Sequence, residues 1–197
     1  MLRGDISDEV FAWLDEGLDP SPGAYLALLH PSLRGERGER ILVNLKAIAT
    51  RLRDRPEDWG TLIRARDWRP TLVGCSAVLL ARDARFLDDL LSRFREGSWV
   101  APQLAVALGL VHPDEAVTEF ERVVREAGSS TDFKRLFTAH AALKLMGREV
   151  PEESEAGEFF GRSQLESPGR SRAAYDAQIA VRVIRDHWAF WSRQGSP

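Results

Sequence analysis

A chain of 197 residues, 44% of them hydrophobic and 29% charged, can bury a sizeable core, which excludes wholesale disorder. A formal net charge of −3 gives no general attraction to nucleic acid. The single cysteine, Cys75, excludes an internal disulfide, and no apolar run approaches the ~18 residues that a membrane span needs.

From the N-terminus, Met1 to Glu9 is polar and acidic and lacks the apolar core of a signal peptide, so the chain reads as cytoplasmic, with no membrane partner. Ser7, Asp8 and Glu9 cap a short helix whose apolar positions are Val10, Trp13, Leu14 and Leu18. Pro20 and Pro22 end it, and Ala24 to Leu29 supplies one more helical turn. Pro31 to Gly38 reads as a polar loop. Ile41, Leu42, Leu45, Ile48, Ala49 and Leu52 then mark an amphipathic helix over 39–53. Pro56 suits the first turn of the next helix, over 57–65.

A helical phrase then recurs. Asp67-Trp68-Arg69-Pro70 opens one apolar segment, Ser98-Trp99-Val100-Ala101-Pro102 a second 31 residues later, and Asp132-Phe133-Lys134 a third after 34 more. These predict first helices at about 68–81, 99–111 and 132–146. Their partner helices fall at about 84–96 and 114–127, with an eroded third at 151–160. A fixed period of this size marks stacked helix pairs, in which one unit cannot bury its apolar face without its neighbours. Gly161 to Ser171 reads as a loop, and a helix runs from Arg172 to Trp191. Its stripe of Ala173, Ala177, Ala180, Ile184, Trp188 and Trp191 is joined by Tyr175, Ile179, Val183 and Phe190 elsewhere on the helix. Such a helix is buried on several sides, and it is expected to pack across the end of the array; a homodimer seam is the alternative. No β-hairpin signal occurs.

The repeats resemble HEAT-like repeats of the short bacterial kind. Ala105-Val106-Ala107-Leu108-Gly109 followed by Pro113-Asp114-Glu115-Ala116 carries the resemblance, echoed by Ala141-Ala142-Leu143 and Leu145-Met146-Gly147. Small residues on a first helix let its partner approach closely. The resemblance covers about 67–160 and implies an all-α fold: a short α-α superhelix, or solenoid, of helical hairpins. The whole chain is then one domain, with N-terminal helices over 1–66, repeats over 67–160, a loop over 161–171 and a C-terminal capping helix over 172–193. HEAT-like proteins are mostly binding scaffolds, so the resemblance implies binding rather than chemistry.

The residues themselves offer little chemistry. His30, His112, His140 and His187 form neither a His-Glu-x-x-His nor a Glu-x-x-His pair. No phosphate-binding glycine loop and no Gly-x-Ser-x-Gly elbow occurs. Cys75 lies in an apolar run and reads as a small buried hydrophobe; His140, on an apolar helix face, reads as a satisfied core histidine. Glu152, Glu153, Glu155 and Glu158 read as a solvated acidic face. No catalytic residue, cofactor or metal is assigned.

Binding candidates are better defined. Trp68 and Trp99 hold equivalent places in consecutive repeats. Exposed on one edge, they would form a stacking ladder; the preferred reading is that each fills the wedge between repeats. Arg69 is the polar partner beside such a ladder, and Gln103 needs a hydrogen-bond partner if buried. Asp88, Asp89, Glu119 and Arg122 mark the charged face of the second helices. Acids dominate residues 1–20 and arginines dominate 161–197, a contrast more readily ascribed to ordinary solvated ends than to head-to-tail association. The expected function is a non-enzymatic protein-interaction scaffold or adaptor. A bacterial immunity protein is one concrete form of it. A DNA glycosylase-like enzyme on the same repeats is the alternative, disfavoured by the charge. An apolar cavity lined by Trp188, Phe190 and Trp191 is a third option, subordinate to a plain core.

Overall fold

The computed structural model describes residues 6–18, 23–30, 33–126, 132–150 and 172–194, and no strand occurs among them. The fold is all-α. In chain order it has α1 (Ile6–Asp15), a 3-10 turn (Ala24–Leu28), α2 (Gly35–Leu52), α3 (Pro56–Ile63) and α4 (Trp68–Ala81). A second 3-10 turn (Ala84–Phe86) runs into α5 (Leu87–Arg95). Next come α6 (Ala101–Val111), α7 (Pro113–Arg125), α8 (Phe133–Leu145) and α9 (Arg172–Gln194). The expected third partner helix over 151–160 and the loop over 161–171 lie outside the described residues.

Helix α2 begins earlier than the loop expected over 31–38. Gly38 lies so close to the Leu33 backbone that a Cβ there would sit 2.2 Å from its carbonyl carbon. A glycine that reads as a helix breaker is here the point at which the incoming chain folds back onto the helix.

Three helices form a central row, α4 on α6 and α6 on α8. Helices α3, α5 and α7 pack on α4, α6 and α8 in turn. The remaining flank is covered by α2 and the first 3-10 turn against α4, and by α9 against α6 and α8. The covering explains the composition of the row. Every residue from Pro70 to Leu79 of α4 is buried, and so is every residue from Ala101 to Gly109 of α6. A helix enclosed on all sides has no polar face to display. By contrast α5 and α7 bury one stripe each: Leu90 and Phe94 on α5, and Ala116, Phe120, Val123 and Val124 on α7. Each of these side chains larger than alanine contributes roughly 1.5–3 kcal/mol relative to exposure.

Helix α9 corrects one expectation. It does not lie across the end of the row; it runs along its flank, on α8 and α6 and reaching α4. Two features draw it there. Ala180, Val183, Ile184, Phe190 and Trp191 are buried, which needs contact on more than one side. Gly109 opens the surface of α6 to Trp188, whose ring would lie 2.6 Å from a Cβ at that position. The small residue expected to admit a partner helix therefore admits α9. Phe190 and Trp191 pack edge-on with ring centroids 4.9 Å apart.

Arg82 ties the far ends of these helices together. It follows α4 in the left-handed region, at φ 51° and ψ 40°. From there its guanidinium donates to the Trp191 carbonyl at 2.7 Å and the Leu110 carbonyl at 3.3 Å. Both oxygens belong to last helical turns, where carbonyls lack intrahelical partners and a cation is favoured.

Candidate interaction surface

The helices of the central row start at one edge, and local chemistry fixes each start. The Asp67 side chain accepts from the Arg69 amide at 2.9 Å and opens α4. Gly97, at φ +83°, turns the chain before α6, and Ser98 Oγ accepts from the Val100 amide at 3.3 Å. Asp132 accepts from the Arg135 amide at 3.1 Å and opens α8. Asp67 and Asp132 are thus side-chain N-caps, whereas Ser98 stands two residues ahead of the α6 cap, Val100, which has no side-chain bond.

The equivalent starts bring the aromatic residues into a strip. Trp68 and Trp99 have ring centroids 6.4 Å apart with planes tilted by 35°. Tyr25, from the first 3-10 turn, meets Trp68 edge-on at 5.7 Å, and Phe11 of α1 lies 5.6 Å beyond Tyr25. Two cations sit on the rings. The Arg69 guanidinium is 4.9 Å from the Trp68 centroid and 5.8 Å from that of Tyr25, and its Nε donates to the Tyr25 hydroxyl at 3.3 Å. The Lys134 ammonium is 4.4 Å from the Trp99 centroid. Trp68 is half-buried, whereas Trp99 is 70% exposed. Trp99 therefore does not fill a wedge between repeats. It lies in the turn at 99–100 that precedes α6, so its side chain leaves the row before the helix begins.

Gln103 lies in the first turn of α6, and it is buried. Its Nε2 donates to the Leu29 carbonyl at 3.1 Å, and His187 Nε2 on α9 meets the same oxygen at 2.8 Å. A carbonyl only accepts, so His187 carries its proton on Nε2. Burial pushes the His187 pKa down to about 4, and Nδ1 has no hydrogen-bond partner to offset this. Gln103 is thus a pin inside the protein. Leu29 ends the turn that carries Tyr25, so the two donors hold that aromatic ring beside Trp68.

The charged candidates on the second helices are divided. Asp88 is exposed on α5. Asp89 pairs with Arg64 of the segment after α3. Glu119 is buried on α7 and bonded by Arg95 of α5 at 2.8 Å and Arg122 at 2.6 Å. Burial pushes its pKa up, but the hydrogen bonds from Arg122 and Arg95 outweigh it and hold the carboxyl below its ordinary value. Glu119 and Arg122 form a bridge between outer helices, away from the strip.

Sequence reasoning missed Tyr25 and Lys134. Tyr25 carries no local signal, since a contact across the chain brings it in. Lys134 had one: it follows Phe133 as Arg69 follows Trp68, in the same register of the repeat.

Of the other reactive groups, Cys75 is buried and its thiol is pushed up to about 12 by burial. His140 is pushed down to about 4 by burial, with a smaller push from Lys144. His112 is buried at the junction of α6 and α7, where it is the C-cap of α6. Among the described residues no group of three or more His, Cys, Asp or Glu is placed to hold a metal, and no helix is long and apolar enough to cross a membrane. Compared with known proteins, the chain matches no family model, no curated protein and no solved structure.

Proposed function

We propose that this protein is a non-enzymatic recognition module, a short array of HEAT-like helical hairpins that binds another protein through the strip of Tyr25, Trp68 and Trp99. One observation carries the reading: a tryptophan 70% exposed within a continuous row of aromatic rings. The chain buries tryptophan readily where the core calls for it. Trp59 is fully enclosed, with Nε1 donating to the Gly74 carbonyl at 3.1 Å. A large aromatic left in water beside others forgoes burial energy, and tryptophan is the residue most enriched at the energetic centre of protein interfaces. The side-by-side packing of α4, α6 and α8 supports the repeat architecture, in which equivalent positions line up along one edge. The net charge of −3 favours a protein partner over a polyanion.

The test is affinity capture from the source cell with the wild-type chain, Trp99→Ala and Asp88→Lys. A partner retained by the wild type and by Asp88→Lys but lost by Trp99→Ala is the expected result. Retention that ignores Trp99, or no retained partner at all, overturns the reading.

A further inference from the structure

We infer that the cleft between the entry to α2 and the last turns of α9 binds a small aromatic carboxylate. This goes beyond the recognition reading, and the cleft shares no residue with the aromatic strip. Its volume of about 650 Å³ falls within the range of small-molecule sites. His30, Leu33 and Arg34 line it from the entry segment, and Asp186, Phe190 and Arg193 from α9. The three α9 residues stand at i, i+4 and i+7, so they share one helix face. The core side of α9 is a different face, held by Ala180, Ile184, His187 and Trp191. Of the three aromatic residues that the sequence offers for an apolar cavity, Phe190 lines this cleft. Trp188 lies on Gly109 instead, and Trp191 is buried.

Charge decides the polar group of the ligand. The guanidiniums of Arg34 and Arg193 reach the cleft from segments far apart in the chain, and neither has an ion pair or hydrogen bond among the described residues. Asp186, the acid of the cleft, is already bonded by the Nε of Arg185, a residue outside the lining, at 3.2 Å. With histidine counted neutral, the described lining therefore carries two positive charges and one negative. One carboxylate neutralises the remainder and matches the planar fork of a guanidinium, whereas a dianionic phosphate overshoots it beside Asp186. Leu33 and Phe190 supply the apolar surface for a ring next to the arginines. Both are fixed in advance, Leu33 by its close approach to Gly38 and Phe190 by its edge-on contact with Trp191. A preformed site of this kind lowers the ordering cost of binding.

An amide-resolved NMR titration of the full chain with 2-naphthoate tests this. Saturable shifts at Leu33, Arg34, Phe190 and Arg193 are expected, with a Kd of about 1 mM. 2-Naphthylmethylammonium, the same rings with a cation, should bind at least about tenfold more weakly, and 2-naphthyl phosphate no more tightly than naphthoate. Arg34→Gln and Arg193→Gln alter exposed side chains, and each should weaken naphthoate about threefold, the loss of one exposed ion pair. Ala189→Glu, exposed in the cleft, offers Arg193 a carboxylate at i+4 from within the chain and should weaken naphthoate about tenfold. Arg182→Gln, exposed on α9 outside the cleft, should leave binding unchanged. Equal affinity for carboxylate and ammonium, or tighter binding of the phosphate, overturns the assignment. So do shifts that ignore Arg34 and Arg193, or no saturation up to about 10 mM. Each of these results leaves Trp99-dependent capture of a partner standing, so the two readings fail separately.

Discussion

Arg82 is the non-glycine residue with a positive φ among those described, and its guanidinium explains why a glycine does not stand there. A left-handed non-glycine residue costs roughly 1–2 kcal/mol. The bonds to Leu110 and Trp191 offset that by holding the ends of α6 and α9. Arg82→Ala is expected to lose the bonds and keep the backbone cost, and Arg82→Gly to lose the bonds but relieve it. Both should melt below the wild type in calorimetry, with the glycine variant the more stable of the two by about 1 kcal/mol. An alanine variant as stable as the wild type would show that the guanidinium contributes nothing. The buried histidines set a second prediction at this scale. His140 and His187 have folded pKa values near 4, below the ordinary 6.5. Between those values the unfolded chain binds more protons than the folded one. Stability is then complete above about pH 6.5 and falls as the pH drops toward 4, by up to about 1.4 kcal/mol per pH unit for each histidine. Urea denaturation at several pH values measures the slope, and His187→Gln should reduce it while keeping a donor for Leu29. A flat profile across that window would contradict the burial of both rings.

At the scale of helices, Gly109 makes an unusual prediction. Glycine to alanine inside a helix ordinarily stabilises by 0.5–1 kcal/mol. Here a Cβ would press on Trp188 at 2.6 Å, so Gly109→Ala should destabilise by about 1–3 kcal/mol. Trp188→Leu should absorb part of that loss, giving a clearly non-additive double-mutant cycle. Additive effects would mean that α9 is not seated on α6 at this point. The same pair shows where sequence reading stops. The row α4, α6 and α8 was legible because its segments repeat and open alike, at Trp68, Trp99 and Phe133. Helix α9 was legible as a helix buried on several sides. Its seat on the flank was not, because an apolar stripe names no partner and Gly109 and Trp188 are far apart in the chain. Trp68 and Trp99 stood out through their equivalent positions, but their exposure depends on where the turn before α6 ends. Tyr25 was hidden altogether, since its place depends on a carbonyl at Leu29 held from α6 and α9.

For the molecule as a whole, the contrast between an acidic start and a basic end does not make two opposed poles among the described residues. Glu9 pairs with Arg55 and Glu16 with Arg51, so the first helix is partnered by arginines close at hand. Exposed pairs of this kind add little stability. What binds the whole is the row enclosed from both flanks, with α9 reaching from α8 to α4. An open array of hairpins can lose units from one end. A row clasped along its length should instead unfold in one step. Urea transitions followed by circular dichroism and by tryptophan fluorescence are expected to coincide. Separate midpoints would mean that α9 clasps the row only loosely.

Cys75 turns that cohesion into something that can be timed. The only sulfhydryl of the chain sits at the centre of α4, sealed from water and held in its protonated form at neutral pH. An aromatic disulfide reagent added to the native protein must wait for α4 to be uncovered, so its colour yield counts excursions from the native state. Variants such as Gly109→Ala should speed that clock about tenfold for each ~1.4 kcal/mol of stability they lose, and a saturating ligand on the aromatic strip should slow it.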